Sequence, residues 1–122
     1  MPMLQLSATE AETAARLFHS FSDPTRLGIL LALLDGEHRV TDLVGLTGRS
    51  QATVSEHLAC LRACGLVASR SEGRQSHYRL ASDHVVDVLA AAQGLLHATG
   101  EPIQLCPVHL EPRPDPTPRG TR

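Results

Sequence analysis

The sequence predicts a mainly α-helical fold with one small β-hairpin, and three observations carry that prediction. Apolar residues recur at helical spacing in successive stretches between residues 8 and 98. Those stretches are punctuated by start and stop signals, including Asp23-Pro24, Gly36, Thr47-Gly48-Arg49, Gly65 and Gly100. Residues 66–71 and 76–81 flank Glu72-Gly73, a hairpin turn signal. At 122 residues the chain is long enough for one ordinary domain and too short for two. Aromatic residues are only 2% of it, so the core must be built from Leu, Val and Ala.

Each element has its own signal. Residues 8–20 read as a helix with Ala11, Ala14, Ala15 and Phe18 on one stripe. Asp23 can cap the next helix, and Pro24 suits its first position, where no N–H is needed. That helix runs through LGILLALL to Gly36 and is apolar nearly all round, which predicts a central place in the core. Thr41 is expected to cap a short helix over 42–46, and Thr47-Gly48-Arg49 to make a tight turn. Ser50 is expected to cap a longer helix over about 51–64, with Val54, Leu58 and Leu61 facing inward. After the hairpin, a last helix is expected from Ser82 to about Ala98. The segment from Glu101 carries six of the eight prolines and predicts irregular structure. The expected organisation is one domain over 1–100 and a Pro-rich tail over 101–122.

Composition narrows the function classes. No apolar run approaches the roughly 20 residues needed to span a bilayer. The N-terminus lacks a basic region followed by an apolar stretch, so a cytoplasmic protein is expected. The net charge of −2 argues against a nucleic-acid partner until its distribution is examined. Between Gly48 and Arg79 lie five arginines (Arg49, Arg62, Arg70, Arg74, Arg79) and two acids (Glu56, Glu72), a local charge of +3. There is no lysine anywhere; every permanent cation is an arginine, whose planar fork suits phosphate and guanine edges.

A short helix, a Gly-containing turn and a longer helix make a helix-turn-helix, and a hairpin directly after it makes the wing of a winged helix-turn-helix. The first turns of the longer helix carry Ser50, Gln51, Thr53, Ser55, Glu56 and His57, following Arg49 in the turn. Short polar and amide side chains of this kind reach base edges when a helix enters the major groove. Arg70, Arg74 and Arg79 on the hairpin suit phosphate or minor-groove contact. The pattern predicts a protein that binds double-stranded DNA.

DPTRLGILLALL, VTDL, SQATVSEHLACLRACGLV and EGRQSHYRL together resemble the ArsR/SmtB family of metal-responsive repressors over about residues 10–98. The resemblance implies a homodimer built from the first and last helices, a two-fold-related operator, and release of DNA when an effector binds. One family sensor site, a Cys-Val-Cys run before the recognition motif, has no counterpart at Arg39-Val40-Thr41. Another, along the last helix, retains only His84, with Ser82, Leu95 and Ala98 in the remaining places.

Three cysteines remain: Cys60, Cys64 and Cys106. An odd number argues against a disulfide framework. Cys60 and Cys64 are four apart on one helix face, with Cα atoms about 6 Å apart, so both thiolates can grip one soft ion. HLACLRACGLV with a lone tail cysteine resembles the cadmium/lead-sensing CmtR branch of the family. That resemblance implies a Cd(II) or Pb(II) site at Cys60, Cys64 and Cys106; the tail cysteine could come from either protomer, most readily from the partner. His109, three residues further on, would complete a Cys3His set, which Zn(II) also accepts. The alternatives are buried structural thiols or a thiol redox sensor on the same fold. An enzyme built on His57 and Cys60 lacks an orienting third group in the sequence, so no catalytic residue is expected. Positions 53, 57, 60 and 64 form one ridge, which would put the sensor thiols on the DNA-reading element itself. His19, His38 and His77 read as surface or interface residues, and His97 as a cation near a helix C-terminus.

Overall fold

A computed structural model describes residues 6–106. The chain divides into two compact units, Met1–Ala81 and Ser82–Arg122. His109 and the rest of the expected tail beyond Cys106 lie outside the described residues.

In the first unit, α1 (Ala8–His19) opens on a reciprocal cap. Ser7 Oγ accepts from the Glu10 N–H at 3.1 Å, and the Glu10 carboxylate accepts from the Ser7 N–H at 2.9 Å. None of its twelve residues is buried; Phe18, on the apolar stripe, is 69% exposed. α2 (Pro24–Ala32) starts as predicted, with Asp23 Oδ2 accepting from the Arg26 N–H at 3.0 Å and Pro24 in the first turn. It tightens into a 3-10 turn over Leu33–Asp35 before Gly36.

α3 (Val40–Thr47) begins two residues earlier than the sequence suggested. Thr41 is not its cap. Arg39 takes the cap position, and the Asp42 carboxylate reaches back to its N–H at 3.0 Å. Gly48 then takes φ 71°, the left-handed conformation that closes the helix and makes the turn. α4 (Gln51–Ala63) follows, its first turn capped by Ser50 Oγ, which accepts from the Thr53 N–H at 3.2 Å.

The hairpin is β2 (Val67–Glu72) and β3 (Gln75–Leu80), antiparallel, with Val67 opposite Leu80 and Glu72 opposite Gln75. The tight turn is therefore Gly73-Arg74 rather than Glu72-Gly73. Only Gly73, at φ 63°, takes the positive φ that a two-residue hairpin loop needs at its first position. A two-residue strand, β1 (His38–Arg39), pairs with the outer side of β3, giving the order β1-β3-β2. The sequence showed no sign of it, because two residues carry no periodicity.

α2, α3 and α4 pack on one another, and α4 packs on β2. The core of this unit is Ile29, Leu30, Leu33, Leu34, Leu43, Val54, Leu58, Leu61, Leu66 and Val67. The inward stripe of α4 is as the spacing predicts. Burying that stripe leaves the remaining faces of α4 turned outward, so the core fixes which of its residues are exposed.

The second unit holds α5 (Asp83–Ala98), which buries Val85, Leu89, Ala90 and Gln93 and leaves Leu95 66% exposed. Gly100 turns the chain at φ 91°. Gln93 Oε1 then accepts from the backbone N–H groups of Leu105 and Cys106, at 2.6 and 2.7 Å. His97 Nε2 lies 2.9 Å from the Ile103 carbonyl oxygen, so it bonds to the returning segment rather than merely standing at the helix end. One buried amide thus places Cys106, which is only 1% exposed. Gln93→Met, similar in size but without the acceptor, would remove the hydrogen bond that Gln93 makes to each N–H, at about 1–3 kcal/mol each. The expected result is at least about a tenfold faster reaction of Cys106 with a thiol reagent, measured in a Cys60→Ser/Cys64→Ser background. An unchanged rate would contradict this role for Gln93.

Among the described residues no helix is long and apolar enough to cross a membrane.

Candidate functional site

The outward face of α4 presents two kinds of chemistry. At its N-terminal end Gln51, Ser55 and Glu56 are exposed, and Arg49 is exposed in the turn before them. Ser50 and Thr53 are joined: Ser50 Oγ donates to Thr53 Oγ1 at 3.0 Å while accepting from its N–H. Thr53 is half-buried, so its hydroxyl belongs partly to the cap.

His57 is placed differently from its neighbours. Its side chain is only 21% exposed, and Nε2 stands 3.8 Å from Asp23 Oδ2. That is an ion-pair distance for a protonated ring and too long for a hydrogen bond. Asp23 is therefore shared between capping α2 and facing α4. The Arg26 backbone N–H holds its carboxyl below the usual carboxylate range, with His57 adding to the effect. No spacing rule links residues 23 and 57, so this contact has no sequence signature.

The wing's arginines fall into two groups. Arg70 is held between carboxylates: Nε donates to both Glu37 oxygens at 3.0 Å, and Nη1 approaches Glu72 at 3.4 Å. The Glu37 contact raises the Arg70 pKa further, and the Arg70 hydrogen bonds lower that of Glu37. His77, opposite Arg70 on β3, has Nε2 buried without a hydrogen bond and 3.5 Å from Glu72. Arg74, by contrast, is exposed in the turn, and Arg79 is exposed on β3. Among the arginines expected to meet DNA from the wing, these two have no carboxylate partner within ion-pair distance among the described residues.

These carboxylate contacts set a pH dependence. Asp23, Glu37 and Asp42 all titrate below their ordinary values, Asp42 through the Arg39 backbone N–H and guanidinium. Such groups add stability above the ordinary carboxylate pKa and lose it as pH falls through the folded one. The urea midpoint is expected to be lower at pH 3 than at pH 6; an equal or higher midpoint would contradict these contacts.

At the other end of α4 lie the thiols. Cys60 and Cys64 are both exposed, one turn apart, with Cys64 as the last capping residue of the helix. Ser20, just past α1, has its hydroxyl 3.3 Å from Cys64 Sγ. Two exposed thiols one turn apart fit a soft ion by their chemistry. Among the described residues no three His, Cys, Asp or Glu side chains gather as a metal cluster. Cys106 belongs to the second unit and is buried there. His84, the remnant of the family's last-helix site, is exposed at the start of α5.

The profile described as "Bacterial regulatory protein, arsR family" matches residues 23–69, the span from the α2 cap into the wing. The chain is 48% identical over 75 residues to the HTH-type transcriptional regulator CmtR of Mycobacterium tuberculosis; the match covers 62% of this chain and 64% of CmtR. It is 34% identical over 102 residues to a probable mercury resistance operon repressor of Streptomyces lividans, covering 84% of this chain and 82% of that protein. Among solved structures, it resembles the homodimeric winged helix-turn-helix DNA-binding domain Mb0332 of Mycobacterium bovis, described as a possible ArsR-family regulator. That likeness has a TM-score of 0.62 and 31% identity, covering 78% of this chain and 95% of the other.

Proposed function

This chain belongs to the arsR family of bacterial regulatory proteins, and on that premise we propose that it is a homodimeric repressor that leaves its operator when a soft metal ion engages its thiolates. The family and the fold are those of regulators, not enzymes. The observation that carries the proposal is the placement of two exposed thiols, Cys60 and Cys64, on the same helix as the exposed reading residues Gln51, Ser55 and Glu56.

DNA binding follows from that helix. Its N-terminal half enters the major groove, with Arg49, Ser50, Gln51, Thr53, Ser55 and Glu56 toward the bases and phosphates. His57 serves more to hold α4 against α2 through Asp23. Arg74 and Arg79 meet the phosphates or minor groove, and Arg70 stiffens the wing through Glu37. The prediction separates these roles. Arg74→Ala weakens binding about equally across sequences and lowers the salt slope by about 1, measured as log affinity against log salt. A variant with an unchanged slope would remove Arg74 from the interface.

The dimer is supported by the unburied apolar residues Leu17 and Phe18 of α1 and Val88 and Leu95 of α5. Protein on operator DNA acts in the cytoplasm. The effector site uses Cys60 and Cys64, with Cys106 of either protomer, once it leaves its buried place, as the third ligand and His109 as a fourth candidate. Cd(II) and Pb(II) suit thiolates, and Zn(II) suits the set with His109. The similarity to a probable mercury resistance operon repressor supports metal response as the effector class. A soft ion held by these thiolates would supply a tie between α4 and the segment that carries Cys106. The chain's part is to convert strain on α4 into a changed distance between the two recognition helices, which must sit about 34 Å apart on DNA.

The test uses a duplex that the wild-type protein selects from a random pool. Cd(II) or Pb(II) should weaken binding by about 5- to 150-fold, the usual range of allosteric coupling. Unchanged affinity would sink metal sensing. Release by diamide alone, with no response to metal, would replace it with thiol redox sensing.

A further inference from the structure

Ser20 is one of two buried polar residues among those described, and it sits where three helices of the first unit meet. It closes α1, its N–H donating to the carbonyls of Arg16 and Leu17 at 3.1 Å. Its own carbonyl accepts from Arg26 Nε of α2 at 3.2 Å. Its hydroxyl lies 3.1 Å from the Arg16 carbonyl oxygen and 3.3 Å from Sγ of Cys64, at the end of α4.

A hydroxyl has one hydrogen to give. While Cys64 keeps its own hydrogen, the sulfhydryl can donate to Ser20 Oγ, and Ser20 can donate to Arg16. A Cys64 that acts as a ligand has given its proton to water and only accepts. Ser20 is then its donor, and a charge-assisted hydrogen bond is roughly twice as strong as a neutral one. The hydroxyl must rotate from the α1 carbonyl toward the sulfur. Leu17 and Phe18, apolar and unburied on α1, lie three and two residues before Ser20.

We propose that Ser20 is the positioning residue for the Cys64 thiolate and the link through which ligation at α4 is felt by α1. This rests on the metal-sensing reading above. Ser20 touches no DNA-reading residue, so its loss acts on metal capture and coupling and leaves metal-free DNA binding intact.

The experiment compares Ser20→Ala and the shape-matched pair Ser20→Thr and Ser20→Val with wild type, in the full chain and with Cd(II) as probe. Three quantities are read: Cd(II) affinity by chelator competition, the thiolate-to-Cd(II) charge-transfer band, and duplex affinity with and without metal. Ser20→Ala and Ser20→Val should lose about tenfold in Cd(II) affinity, the low end for removing a partner of a metal ligand. Their band should move to longer wavelength, because the sulfur lone pairs lose a donor, and metal should release less DNA. Ser20→Thr should restore all three. If Ser20→Ala does not fold, the Thr and Val pair decides alone. Val equal to wild type, or Thr equal to Val, overturns the role of Ser20 while leaving the metal reading standing. A wild type with neither band nor release overturns the metal reading, and this inference with it.

Discussion

Cys60→Ser and Cys64→Ser will each hold the operator in the presence of Cd(II) at concentrations that release the wild type. Serine keeps the size and helix compatibility of cysteine but offers a hard, neutral oxygen where a soft ion needs a thiolate. Both positions are exposed, so neither substitution disturbs the core. Metal-free DNA binding should therefore stay within about twofold of wild type, as expected for surface changes worth less than about 0.5 kcal/mol. The loss falls on the response: the about 5- to 150-fold weakening by metal should shrink to less than twofold. Direct titration with Cd(II), read by the duplex's fluorescence anisotropy, checks it. A Cys64→Ser protein that still releases DNA at wild-type metal concentration would remove that thiol from the sensor.

The second large effect concerns stability. Leu58→Ala empties a fully buried position between the two halves of the reading helix. Leu58 belongs to the stripe with Val54 and Leu61 that packs α4 into the first unit. Large-to-small changes at such positions cost about 2–5 kcal/mol. Against a total of about 5–15 kcal/mol for an ordinary domain, that is a large share. Chemical denaturation should show the drop in midpoint with little change in slope. A loss below about 1 kcal/mol would mean that α4 is not seated as described. DNA binding should weaken too, because a loosely seated α4 no longer presents Gln51 and Ser55 together.

The elements were largely legible in the sequence because their signals are local. Asp23-Pro24, Ser50 and Gly48 each act within one turn of helix, and the α4 stripe follows from spacing alone. What the sequence hid is whatever depends on residues far apart. β1 exists only because His38 and Arg39 lie beside Tyr78 and His77. The cap position of α3 fell on Arg39, whose N–H the Asp42 carboxylate accepts from three residues on. The apolar stripe of α1 was readable, but its exposure was not, since spacing tells which residues share a face and not what covers it.

The candidate site divides in the same way. Residue types on α4 marked it as a reading head, and the i, i+4 thiols marked it as a possible grip. The pairing of His57 with Asp23, the capture of Arg70 by Glu37, and the approach of Ser20 to Cys64 are long-range contacts without a sequence signature. They sort the predicted residues by task. Gln51, Ser55, Glu56, Arg49 and Arg74 are left exposed, whereas His57 and Arg70 are engaged within the protein.

The central claim is that one helix both reads DNA and holds the sensor thiols. Its most direct measurement is a single titration in which Cd(II) is added to the protein–duplex complex while the thiolate-to-Cd(II) charge-transfer band and the duplex anisotropy are recorded together. The account predicts that the band grows and the duplex is released over the same metal equivalents, both reaching their end points together. Release without the band, or a full band with the duplex still bound, would contradict it.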